Sequence, residues 1–142
     1  MLIVNEPLLE EFRTSGRCEL CNRWALIREP HHLRCKGFGG ADRQDLRINL
    51  ISLGGSIAKR HAFRRFFCNC HKQAQEHKIP ADHVLSIVSI RECVHPSEIT
   101  EVMDLLRRLL RPTESELRTS LLELSSGAMT LAVKELTEAG KL

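Results

Sequence analysis

The chain has 142 residues and a mass of 16.2 kDa, enough for one ordinary domain or a small domain with a helical tail. Its 42% hydrophobic and 27% charged residues suit a folded chain, and 4% aromatics with no Tyr argue against an aromatic stacking platform for single-stranded nucleic acid. The net charge of +3 hides a split: residues 1–80 carry 14 Lys/Arg against 8 Asp/Glu, a net of +6, and residues 81–142 carry 7 against 10, a net of −3.

A basic front half suits a phosphate-bearing partner, although a solvated surface has the same composition. The opening MLIVNEPLLEEF carries three Glu and no basic region, so it does not read as a secretory signal. No apolar run approaches the roughly 18 residues of a membrane span, and no membrane partner is expected. Six Cys and seven His without a secretory signal point to metal binding or reduced thiols, and to a cytoplasmic location.

Residues 7–13 read as a short helix. Residues 24–28 and 31–34 are short extended segments flanking Pro30. Residues 36–47 form a loop with Gly37, Gly39 and Gly40, and residues 48–53 a strand. Residues 56–67 and 71–77 are helical candidates separated by a Cys pair. A helix over residues 81–92 follows Pro80. The next helix places Ile99, Val102, Met103, Leu106, Leu109 and Leu110 on one face and is ended by Pro112. Thr113 and Glu116 have the spacing of a capping box for a helix over residues 114–124. A last helix over residues 128–139 carries Met129, Ala132, Val133 and Leu136. Every Cys and His lies between Cys18 and His95. The chain therefore divides into an α+β, ligand-rich front, residues 1–79, and a helical segment, residues 80–142, whose amphipathic helices offer a surface to a second copy or a protein partner.

Cys18-x-x-Cys21 and Cys68-x-Cys70 together supply the four thiolates of a tetrahedral structural zinc site. A redox or unliganded pair is the alternative, without a βαβ context to favour it. Cys35 and Cys93 read as packing residues. The adjacent His31 and His32 would point to opposite faces of a strand, so one can bind a metal while the other addresses a different target. Lys59, Arg60, Arg64 and Arg65 can share adjacent helical turns, a stripe suited to a DNA backbone or simply to solvent.

Taken together, Cys18-x-x-Cys21, His31-His32, Gly37-x-Gly39-Gly40, Asn49-Leu50 and Cys70-His71 resemble the HNH endonuclease family, whose ββα-metal core lies beside a zinc knuckle in many members. PHHLRCKGFGGADRQDLRINLISL is similar to that family's hairpin, CHKQAQEHKIP to its helix, and ADHVLSIVSIRE to a stretch that follows the motif in some phage-like and bacterial members. The likeness covers about residues 15–95. It implies a DNA phosphodiester hydrolase in which His31 and His71 ligate a catalytic Mg²⁺, Mn²⁺ or other divalent ion. His32 is then the general base, with an unperturbed pKa of about 6.5 close to working pH. Asn49 hydrogen-bonds the backbone opposite and orients His32.

The chain departs from the family pattern in three places. Gln75 stands where an imidazole four residues after His71 is usual, and Gln75→His is expected to tighten metal binding. His77, six residues on, would be rotated off that helical face. The Cys-His pair comes late, after Gly54, Gly55 and an insertion that makes His61 a competing helix histidine. The second Cys pair is C-x-C, not C-x-x-C. Two rival functions remain at this level. One is a non-catalytic zinc-stabilised DNA-binding protein of HNH descent, favoured by Gln75. The other is a helical interaction protein on a zinc-stabilised scaffold.

Overall fold

The computed structural model describes residues 1–34, 36–55 and 68–142, and over these the protein is mixed α+β. The basic stripe Lys59, Arg60, Arg64 and Arg65, the rival His61 and Cys35 lie outside the described residues.

Helix α1 (Glu6–Arg13) starts where the Asn5 side chain accepts the backbone N–H of Leu8 and Pro7 occupies the first turn. Strands β1 (Gly16–Arg17) and β2 (Trp24–Ala25) form a small antiparallel knuckle. Strand β3 (Arg28–His32) pairs antiparallel with β4 (Leu50–Gly54), with His32 opposite Leu50 and His31 opposite Ile51. Pro30 thus lies inside a strand and not between two, which is tolerated because among the described residues β3 pairs on one edge only, with β4. The predicted strand over residues 48–53 begins later, since Arg47–Asn49 forms a 3-10 turn.

Alternation along β4 splits its side chains between two layers. Leu50 packs with Leu8, Leu9 and Phe12 of α1, and Ser52 on the same face donates to the Phe12 carbonyl. Ile51 and Leu53 join the main core with Cys70 and Ala74 of α2 (Cys70–Gln75) and Val84 and Val88 of α3 (Ala81–Glu92). His31 therefore belongs to the α2 side and His32 to the α1 side.

The same core continues into α4 (Pro96–Arg108), α5 (Glu114–Leu121) and α6 (Ser126–Glu138), with α4 packed on α6. The Thr113–Glu116 capping box is present in both directions. Helix α4 stops at Arg108, so Leu110 is 87% exposed while Leu105, on the inward face, is buried. Cys93 is also exposed, in the left-handed C-cap of α3, and is not a packing residue. Among the described residues no helix is long and apolar enough to cross a membrane.

Glu135 on α6 is 1% exposed. One carboxylate oxygen accepts the Arg47 backbone N–H at 3.0 Å, and the other has no hydrogen-bond partner among the described residues. Burial, then the carboxylates of Glu92 and Glu138, push its pKa up to about 7 from an ordinary 4.5; the Arg47 N–H and then Lys134 pull the other way. The fold thus favours the protonated acid. Its contribution is complete below about pH 4.5 and is lost as pH rises through about 7, a change of about 3 kcal/mol. Glu135→Gln is expected to remove this slope and to be the more stable form at pH 8. Urea unfolding at pH 5 and pH 8 checks it; equal slopes in the two proteins would refute the assignment.

Candidate active site and metal centre

The knuckle turn between β1 and β2 carries Cys18 and Cys21, while Cys68 and Cys70 arrive from the far side of β4 at the start of α2. Their four sulfur atoms all lie within 4.8 Å of one another. A tetrahedral ion with bonds of about 2.3 Å would hold its sulfurs about 3.8 Å apart, so the cluster fits a metal ion such as zinc. Starting α2 at Cys70 brings the C-x-C pair to bear on the knuckle.

Burial alone would raise the Cys18 thiol. Hydrogen bonds from the backbone N–H groups of Cys21, Gly54 and Leu20, then from Cys68, outweigh it and hold Cys18 below the ordinary thiol range. Cys68 is pushed up to about 11, first by burial and then by the thiolate charge of Cys18; Cys70 is raised for the same reasons. Cys18 therefore ionises more readily than Cys68 or Cys70, and a divalent cation bound by the cluster would displace the thiol protons that remain.

Gly54 is required at the centre. A Cβ placed there would fall on Cys68 Sγ. Gly54→Ala must displace the sulfur or the strand, a cost of about 1–3 kcal/mol for overpacking. The expected result is a lower melting temperature and less than one bound zinc per chain by metal analysis. A fully loaded Gly54→Ala protein with parental melting would contradict this geometry.

Next to the cluster, His31 of β3 and His71 of α2 face each other with ring centroids 5.9 Å apart and planes at 81°. With a metal–nitrogen bond of about 2.1 Å, a shared ion would sit about 3.3 Å from each centroid, so this spacing is within reach of one ion. Burial, then the neighbouring His71, His32, His77 and Lys36, lower the His31 pKa to about 4. His71 is lowered too, first by burial. Both are neutral at physiological pH, the form that binds metal. The two rings open on a cavity of about 420 Å³ whose wall also includes His32, Lys36, Gln75 and His77.

His32, at the end of β3, is held from the other layer. Its Nε2 lies 2.8 Å from Oδ1 of Asp45, and the pair is almost wholly buried. Burial raises Asp45, but two-pronged bonding from Arg43, the Asn5 backbone N–H and His32 outweigh that and keep it ionised. An ionised carboxylate only accepts, so Nε2 carries the proton and Nδ1 the lone pair. Burial, against the pull of Asp45, holds the imidazole neutral below the ordinary histidine range. Nδ1 is buried with no hydrogen-bond partner among the described residues.

Asn49 braces the loop behind this pair. Its Oδ1 accepts the Arg34 backbone N–H at 2.9 Å, and its amide donates to the Gln44 carbonyl at 2.9 Å, one residue before Asp45. Asp45 was not singled out by sequence reasoning. It lies 13 residues from His32, in a loop anchored to the backbone of Ile3 and Asn5, and only the tertiary fold brings the two together. No family model, curated protein or solved structure matches the chain.

Proposed function

We propose that the protein is a metal-dependent endonuclease of the HNH type that hydrolyses DNA phosphodiester bonds, with a structural zinc at Cys18, Cys21, Cys68 and Cys70. The observation that carries this reading is the facing pair His31 and His71 on a cavity whose lining also includes His32, the residue held from the other layer by Asp45. Neutral imidazoles suit transition ions best, and Mg²⁺ or Mn²⁺ at such a site would draw most of its remaining ligands from water and phosphate oxygen. When bound, such an ion supplies charge neutralisation at the scissile phosphate and the leaving oxygen.

This chain's own groups do the rest. Lys36 in the cavity wall attracts the phosphate backbone. In this reading His32 is the general base, its buried Nδ1 taking the proton of a water admitted from the cavity, and Asp45 stabilises the imidazolium that results. Asn49 keeps the 33–49 loop, and with it Asp45, in register. Lys59, Arg60, Arg64 and Arg65 extend the DNA-binding surface in this reading.

Gln75 in the cavity wall, where the family offers an imidazole, favours a second reading: a zinc-stabilised DNA-binding protein without cleavage. Incubation with supercoiled plasmid and Mg²⁺ or Mn²⁺ separates the two. Nicking that disappears with chelator supports the nuclease. Retarded plasmid that stays intact supports the binding protein.

A further inference from the structure

Helix α2 is only six residues long, and how it ends changes which side chains reach the cavity. The Lys78 N–H bonds back to the Gln73 carbonyl at 2.9 Å and the His77 N–H to the Ala74 carbonyl at 3.1 Å. This is a Schellman ending, with Glu76 as C-cap and His77 at the position that follows. That position takes the left-handed conformation and is normally glycine, because a Cβ is strained there. Here φ is +56° and the residue is a histidine.

The consequence is geometric. In a continuing helix, residues six apart point in different directions, and His77 would be turned away from His71. The left-handed turn takes His77 off the helical screw. It lines the 420 Å³ cavity with His31, His71 and Lys36, and shares the wall of an adjoining cavity of about 350 Å³ with His31 again. His77 is exposed, so its ring has rotamer freedom to close on an ion between the other two. Without an ion the three rings do not form a set within 4.8 Å, as the four cysteines do.

We propose that His77, and not Gln75, is the third protein ligand of the divalent site, giving a His31–His71–His77 triad. This rests on the reading of His31 and His71 as metal ligands. It assigns the left-handed histidine a role: the turn, strained for a residue with a Cβ, is what brings its imidazole to the cavity. A neutral imidazole is a far better donor to transition ions than the Gln75 amide.

The test is Mn²⁺ binding by the full-length zinc-loaded protein, followed by loss of the free-ion EPR signal. Mn²⁺ prefers oxygen and nitrogen donors and leaves the thiolate cluster occupied. His77→Gly is the informative variant, because glycine suits the turn. Its melting temperature without Mn²⁺ should stay level or rise by roughly 2–4 °C, while Mn²⁺ affinity falls at least about tenfold, the scale on which even supporting residues of metal sites act. Gln75→Ala should leave affinity unchanged. Weakened binding in Gln75→Ala with parental binding in His77→Gly would overturn the triad and leave the two-histidine site standing. Parental binding in His31→Ala and His71→Ala would remove the divalent site itself, and the triad with it.

Discussion

Cys18→Ser is expected to abolish zinc retention and to unfold the front of the molecule. Structural zinc contributes about 10–16 kcal/mol of apparent binding free energy in small sites, and a whole domain is stable by only about 5–15 kcal/mol. Cys18 is the most consequential of the four ligands because it is 1% exposed and its sulfur collects three backbone N–H groups. A serine hydroxyl there would leave those donors with a weaker acceptor. The damage would spread beyond the knuckle. Glu19, the next residue, receives the Ser52 N–H at 2.6 Å and the Arg91 guanidinium at 2.9 Å, so the knuckle is tied to both β4 and α3. The measurements are zinc content and thermal melting of the parent and Cys18→Ser proteins, with the parent also melted in excess chelator. Parental melting in Cys18→Ser would show that the cluster does not hold the fold.

Helix placement was legible wherever burial follows a helical period. Residues 81–92 were read at their observed bounds, and the Thr113–Glu116 capping box was visible in the letters. Leu110 was misplaced because periodicity alone does not show that the chain leaves the helix after Arg108. The two Cys pairs were readable as metal half-sites from spacing, whereas the need for Gly54 beside them was not, since only the close approach of Cys68 Sγ creates it. His31 and His32 were expected on opposite faces, and the β3–β4 register puts His31 on the α2 side and His32 on the α1 side, where the loop preceding β4 supplies Asp45. Asp45 and Glu135 carry no local signal, because a charged residue in a polar loop or a helix looks solvated until its distant neighbours bury it. His77 was set aside by a spacing rule that ceases to apply once α2 ends at Gln75.

His32→Ala is expected to lower metal-dependent nicking by about 10²–10⁴-fold, the usual cost of losing a general base, with DNA binding retained. The structural alternative is a buried histidine that merely satisfies Asp45. The two roles differ in how the lone pair on Nδ1 is used: a general base must deliver it to a water from the cavity, and a purely structural histidine need not. Asp45→Asn sharpens the distinction. The amide keeps the shape, but it can donate as well as accept, so it no longer fixes the proton on Nε2. Loss of the correct tautomer costs up to about 10⁴-fold in a comparable His–carboxylate pair. Asp45→Asn also weakens the bonds from Arg43, so both variants are assayed well below their melting temperatures and at saturating plasmid. A fall in the maximal nicking rate with unchanged half-saturating DNA is the expected signature of lost chemistry. A structural role would instead lower the melting temperature and leave the rate of the folded fraction unaltered. Full activity in His32→Ala would remove the general base from the mechanism and leave His32 and Asp45 as a buried structural pair.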